Sequence, residues 1–170
     1  YLRKEDNYLI PDNYQEDRKN KIVRRTSSTN IGLSMMAVIS ANDLGFINYE
    51  KTIELLQNIL TTVDELQKWN GHLYNWYNTE TKEPLYPRYV STVDSGNFIG
   101  YMYVIKNWLE SQNKKEQVPE IKENEINQLL EIVDRTIKNT DFSHLYKKEQ
   151  RIFSIGFNIE ENKLTNSYYD

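Results

Sequence analysis

Three short segments concentrate the side chains able to do chemistry. Trp69 and the run Asn70-Gly71-His72-Leu73-Tyr74-Asn75-Trp76-Tyr77 interleave aromatic rings with amides and one imidazole. Rings that stack on a pyranose face, with amides that bind hydroxyls, are the equipment of a sugar site. The same rings would equally serve to pin a loop over helix ends. Arg88 and Asp94-Ser95-Gly96-Asn97 follow. Arg88, Asp94 and Asn97 would orient a ligand, while Asp94 and Ser95 would equally serve as a helix cap. Pro11-Asp12-Asn13-Tyr14-Gln15-Glu16-Asp17 gathers carboxylates, amides and a tyrosine. Glycosidic-bond chemistry needs two carboxyl groups, about 5–5.5 Å apart for retention and roughly 6.5–9.5 Å apart for inversion. Asp12, Glu16, Asp94 and Asp170 are the candidates for that pair. Their separations are not legible from spacing, so none is assigned as acid or nucleophile. His144, within Asp141-Phe142-Ser143-His144-Leu145-Tyr146, reads as a packed loop histidine.

Composition narrows the classes. The chain has 170 residues, room for one domain. With 25 Asp+Glu against 21 Lys+Arg and no basic run, it is not built to live on phosphate contacts, so no nucleic-acid partner is expected. No apolar run approaches the about 18 residues of a membrane span, and none follows Tyr1-Leu2-Arg3-Lys4 as a signal peptide would require. Zero cysteines remove thiolate chemistry, and two histidines argue against a histidine-rich metal site, so neither metal nor cofactor is expected. Thirteen tyrosines against five phenylalanines favour wet, half-buried aromatic packing or ring-shaped ligands. A mean hydropathy of -0.76 predicts a soluble chain with a modest core.

Four helices must position these segments. The first follows the capping cluster Thr26-Ser27-Ser28-Thr29, spans Ser28–Asp43 and stops at Gly45. The second spans Asn48–Lys68, with Tyr49, Ile53, Leu56, Leu60 and Val63 on one stripe and Glu50, Lys51, Glu54 and Gln57 outside. The third spans Ser95–Glu110 and the fourth Asn124–Asn139. The first and third are apolar nearly all round, the second and fourth amphipathic. That alternation predicts inner helices covered by outer ones, an α/α toroid or an array of α-hairpins; a plain four-helix bundle would show four similar stripes.

The long connections, Trp69–Val93 and Thr140–Asn166, both fall at the end where the inner helices begin. Loops beyond about 12–15 residues are usually functional or disordered, and these are too aromatic for disorder. A β-hairpin is expected between Leu73–Tyr77 and Leu85–Val90, with Pro87 confining the second strand to an edge, and another extended piece at Ile152–Ile159. Ser111–Glu125 reads as a solvated loop. Thr165 and Asn166 are capping residues with no helix after them, which reads as a piece of a longer polypeptide.

At these loops the sequence resembles the central glycoamylase-like region of the cyclic β-1,2-glucan synthases. The likeness begins with Pro11-Asp12-Asn13-Tyr14-Gln15-Glu16 and Arg25-Thr26-Ser27-Ser28-Thr29-Asn30-Ile31-Gly32-Leu33. It continues with Gly71–Tyr77 and the unbroken run Pro87–Asn97, and ends with Gly156-Phe157-Asn158-Ile159, Leu164 and Ser167-Tyr168-Tyr169-Asp170. Ser28 departs from the pattern, standing where Pro is common, and Lys and Asn are more frequent. The resemblance implies an all-α, (α/α)6 toroid with short β-hairpin insertions, of which this chain is one partial domain, the N-terminal half. It implies a parent that joins a membrane glycosyltransferase using UDP-glucose, this transglycosylation region and a phosphorylase-like region, placed on the cytoplasmic side of the inner membrane. A β-linked glucan chain is the implied substrate, with Trp69, His72, Tyr74, Trp76, Tyr77, Arg88, Asp94 and Asn97 as its contacts. The principal catalytic carboxylates are expected outside this chain, which by itself would be inactive and prone to self-association through its open edge. The alternative is a non-catalytic helical scaffold that docks the neighbouring domains.

Overall fold

A computed structural model describes residues 2–17, 19, 21–113 and 120–168; Asp170 therefore lies outside the described residues. In chain order the elements are β1 (Asn13–Tyr14), β2 (Ile22–Val23), β3 (Arg25–Thr26), α1 (Ser28–Asp43), α2 (Tyr49–Glu65), β4 (Lys68–Trp69), β5 (His72–Leu73), β6 (Tyr77–Asn78) and β7 (Tyr89–Ser91). α3 (Thr92–Asn113), α4 (Glu120–Asn139), β8 (Tyr146–Lys147), β9 (Ile152–Phe153), β10 (Gly156–Asn158) and β11 (Lys163–Leu164) complete the chain.

α1 has the expected bounds. Ser27 caps it by accepting from the Asn30 amide, and it stops where Gly45 takes a positive φ of 76°. Asn48 caps α2, whose buried stripe holds Ile53, Leu56, Ile59, Leu60 and Val63. α2 ends three residues before the expected Lys68. The Lys68 ammonium instead folds back onto the carbonyls of Val63, Asp64 and Leu66 at 2.6–3.0 Å, satisfying the helix C-terminus. α3 begins earlier than expected because it runs straight out of β7, with Ser91 accepting from the Asp94 amide at 3.2 Å. α3 also extends to Asn113 and α4 starts at Glu120, so much of the expected Ser111–Glu125 loop is helical. Lys, Glu and Gln are good helix formers, and their polarity alone does not make a loop.

The helices form two hairpins with like partners side by side. α1 and α3 run parallel: Asn97 reaches Thr29, Gly32 lies under the Tyr101 ring, and Trp108 donates to Asp43. α4 runs antiparallel to α3, with Lys106 on Asp134 at 2.6 Å and Asn113 on Asn127 at 3.1 Å. α2 and α4 meet through Arg135 and Asp64 at 2.8 Å. Between them lie Ile31, Met35, Leu56, Leu60, Met102, Ile105, Leu109, Ile126 and Val133, all fully buried. Each such side chain contributes on the order of 1.5–3 kcal/mol of burial. The expectation that α1 and α3 are buried on most sides is not met in this chain. Both carry an open stripe: Leu33, Ala37 and Ser40 on α1, and Val93, Gly100, Tyr103 and Val104 on α3. No described helix lies over that side, so these apolar side chains face solvent.

The expected antiparallel approach of Leu73–Tyr77 and Leu85–Val90 is found: Leu85 donates to the Trp76 carbonyl at 2.8 Å, Asn75 to the Tyr89 carbonyl at 2.7 Å, and Tyr77 and Pro84 form an antiparallel bridge, without a continuous ladder. A further hairpin, not expected, forms between β4 and β5, around Asn70 and Gly71 at φ 47° and 82°. Asn-Gly accepts positive φ at both turn positions, so the tight turn forms there. β7 pairs with β10, in the register Ser91↔Gly156, Val90↔Phe157 and Tyr89↔Asn158, and β11 pairs on the other side of β10. This pairing ties the two long connections together at the N-terminal ends of α1 and α3. β3 pairs with β6, bringing the N-terminal segment to the same end. That segment is anchored by the buried Asp6, which takes Arg3 and Thr79 at 3.0 Å, with the Arg24 guanidinium 3.6 Å away.

Candidate functional site

The first turns of α1 and α3 lie side by side, and there the carboxylate of Asp94 is held from two elements. Thr29 donates its hydroxyl to one oxygen at 2.6 Å, and Asn75 donates its amide to the other at 3.2 Å. Asp94 sits three residues past the capping Ser91, so it is not the cap expected from sequence. Its half-buried carboxylate faces across to α1, with lone pairs left for further donors. Asn97, exposed one turn on, donates to the Thr29 hydroxyl at 3.3 Å.

A second cluster adjoins the first through Asn30. Asp12 accepts from Asn30 at 3.2 Å through one oxygen; through the other it accepts from Arg25 at 3.2 and 3.3 Å and from Asn13 at 2.9 Å. The Arg25 guanidinium lies over the Trp76 ring, 4.3 Å from its centroid. Such a stack fixes both partners, and one ring face is taken by the cation. Trp76 is half-buried and Arg25 partly exposed, so the pair borders the surface. Glu16 is exposed on the turn between β1 and β2 and is not among the contacts of this face. Asp12 and Asp94 thus act as organisers of neighbouring donors.

The remaining ring-bearing candidates lie elsewhere. His72, Tyr74 and Tyr77 are buried, at 1%, 3% and 0% exposure, so as the chain stands they are packing residues and not an open face. The Tyr77 hydroxyl donates to the Gln67 carbonyl at 2.5 Å and accepts from the Tyr74 amide at 2.9 Å. Burial drives its pKa far above the ordinary phenol value. His72 donates from Nε2 to the Asp141 carbonyl at 3.0 Å, and its buried Nδ1 has no hydrogen-bond partner. Burial lowers its pKa, the bond to Asp141 opposing. Trp69 is half-buried, stacked on Phe157 at 4.3 Å with His144 edge-on at 5.6 Å. His144, expected to be packed, is half exposed on a short 3-10 turn, where it meets the Trp69 ring edge-on and lies 3.5 Å from the Asp141 carboxylate. Arg88 is committed to Glu160, its Nε at 2.8 Å from the carboxylate and its backbone amide also bonded there.

Spacing alone did not bring Thr29, Asn30, Arg25 and Asn75 to this face; they are drawn in by the α1–α3 and β3–β6 contacts. A cleft of about 620 Å³ lined by Tyr14, Lys19, Lys21, Ile22, Arg24 and Glu80 shares none of these residues, and its Arg24 is already paired with Asp6 and Glu80. No group of three metal-ligating side chains occurs among the described residues.

The helical pairs and the loop-built face define the class: the fold is that of the glucoamylase-like helical proteins. A glucoamylase-like protein of Bacteroides fragilis superposes with a TM-score of 0.75 at 15% identity, over 92% of this chain and 36% of that one. An endo-β-1,2-glucanase of Chitinophaga pinensis, solved with sophorotriose and glucose, gives a TM-score of 0.72 at 16% identity, over 91% of this chain and 35% of its own. At such identities the likeness is one of fold. In sequence, the particular relative is the cyclic β-(1,2)-glucan synthase NdvB of Rhizobium meliloti, 43% identical over 115 residues. Those residues make up 65% of this chain but 4% of that protein. The resemblance to the cyclic β-1,2-glucan synthases is therefore shown at the level of sequence identity. No protein-family model matches the chain. No described helix is long and apolar enough to cross a membrane.

Proposed function

We propose that this chain supplies part of a β-1,2-glucan-binding face in a carbohydrate-active enzyme that resembles the cyclic β-1,2-glucan synthases. The observation that carries the reading is the Asp94 carboxylate, held between Thr29 and Asn75 beside the exposed Asn97 and the Arg25-backed Trp76. A carboxylate with lone pairs left for donors and an exposed amide suit vicinal sugar hydroxyls, and a half-buried indole bordering the surface suits a pyranose ring.

In this reading the two α-hairpins form about a third of an (α/α)6 toroid, and the open stripe on α1 and α3 is covered by the rest of it. The acid and nucleophile of transglycosylation come from residues outside this chain, and Asp94 serves as an acceptor for sugar hydroxyls. The chain alone then turns over neither β-1,2-glucan nor UDP-glucose, and thin-layer chromatography of either substrate after incubation shows no new product. The glycosyltransferase and phosphorylase-like neighbours belong to the same proposal.

Binding is tested by titrating the chain with linear β-1,2-gluco-oligosaccharides and following its amide resonances. Shifts confined to the first turns of α1 and α3 and to the Asn75–Trp76 segment are expected, weakened in Trp76→Ala with the helical signal intact. A Trp76→Ala chain that binds as before, or shifts scattered elsewhere, would overturn it. The scaffold reading is favoured by one observation only, the burial of His72, Tyr74 and Tyr77 as packing. It predicts no oligosaccharide-dependent shifts at all.

A further inference from the structure

Tyr86 is 74% exposed, unusual for so large a ring, yet it is not a loose side chain. The Arg88 guanidinium lies 5.4 Å from its ring centroid and 5.9 Å from that of the buried Tyr74. Arg88 is itself clamped: Glu160 accepts from its Nε and from its backbone amide, both at 2.8 Å, and its carbonyl accepts from the Ile159 amide at 3.1 Å. The result is a layered support, with Tyr74 in the core, Arg88 above it and Tyr86 at the surface. A cation against one face of the tyrosine holds the ring and leaves the other face to solvent.

The backbone places this ring next to the site. Leu85 donates to the Trp76 carbonyl at 2.8 Å, and Asn75 donates to the Tyr89 carbonyl at 2.7 Å. Tyr86, Pro87 and Arg88 bulge outward between those two bonds, beside the segment that carries Trp76 and Asn75. Trp76 and Tyr86 thus share one design: an aromatic ring backed by an arginine that a carboxylate fixes, Asp12 for Arg25 and Glu160 for Arg88.

We propose that Tyr86 is a separate stacking subsite for a further glucose unit of a β-linked chain whose first unit lies at Trp76 and Asp94. This rests on the glucan-binding reading above and adds to it a chain-length dependence. Arg88 is in this account a positioning residue for Tyr86 and does not itself contact the ligand.

The test is the affinity of the chain for linear β-1,2-gluco-oligosaccharides of increasing length, measured by amide shifts in the parent sequence, Tyr86→Ala and Tyr86→Phe. Longer ligands should bind the parent about two- to tenfold more tightly than the disaccharide, the range expected of one aromatic stacking contact. Tyr86→Ala should abolish that gain and leave disaccharide binding unchanged, while Tyr86→Phe retains it. Arg88→Met should reduce the gain without touching disaccharide affinity. An undiminished gain in Tyr86→Ala overturns the subsite and leaves the Trp76–Asp94 face standing. Absence of any binding to the parent sequence overturns both.

Discussion

Thr29 donates its hydroxyl to Asp94 at 2.6 Å, joining the first turns of two helices whose residues stand 65 positions apart in the chain. One short bond thereby aligns α1 with α3 and aims a carboxylate at the face where the long connections converge. Thr29→Val keeps the shape and removes the donor. Because the site is half-buried, the loss of stability should be about 1.5 kcal/mol, the lower end of the range for bonds to charged groups. Urea denaturation measures it. Oligosaccharide affinity should fall as well, because Asp94 keeps only Asn75 to orient it. Unchanged affinity with the expected loss of stability would reduce the bond to a helix tie.

Gly71 tests the interlock between the two halves. Its φ is +82°, and a Cβ there would stand 2.1 Å from the Asn139 carbonyl oxygen at the end of α4. Thr140 also donates to the Gly71 carbonyl at 3.3 Å, and the Asp141 amide to that of Asn70 at 3.1 Å. Gly71→Ala must strain the turn and push backbone from backbone, a cost of roughly 2 kcal/mol or more. Thermal unfolding should show a lowered midpoint, whereas Gly96→Ala, with open space at its Cβ, should change it little.

His72 makes the same interlock sensitive to acid. Burial, the main cause, lowers its pKa in the folded chain below the ordinary 6.5. The unfolded chain therefore takes up the proton first as pH falls. The stabilising contribution is complete above about pH 6.5 and is lost as pH drops from there through the lowered folded value. Denaturation midpoints should fall between pH 7.5 and pH 5 in the parent chain, and His72→Gln should flatten that slope. Asp141, whose pKa is lowered chiefly by the Ser143 amide, titrates below this window and does not mask it. An equal slope in both proteins would remove His72 from the account.

The open stripe of Leu33, Ala37, Val93, Gly100, Tyr103 and Val104 carries no charged residue. Apolar surface of this kind seeks a partner. The chain by itself should self-associate with rising concentration in light scattering, and Val104→Asp, which places a charge on the stripe without entering the core, should shift it toward monomer. A parent chain that stays monomeric at high concentration contradicts this.

The four helices were legible in the residues because helix formation is governed by near neighbours. Ser27 and Asn48 at the caps, Gly45 at the stop and the apolar stripe of α2 each act within a few positions. The approach of Leu73–Tyr77 to Leu85–Val90 was legible as two short strand-like runs around a turn, whereas the Asn70-Gly71 hairpin before it was not expected. The glucan-synthase resemblance also lay in the sequence, in runs such as Pro87–Asn97. What local pattern did not decide was which aromatics turn inward. Trp76 and Tyr77 are adjacent, yet one borders the surface under Arg25 and the other is fully buried, its hydroxyl on the Gln67 carbonyl. Nor did it show Asp94 reaching Thr29 instead of capping its own helix. Both outcomes depend on segments tens of residues away being packed at a fixed distance, a quantity that exists only once α1 lies against α3 and β7 against β10.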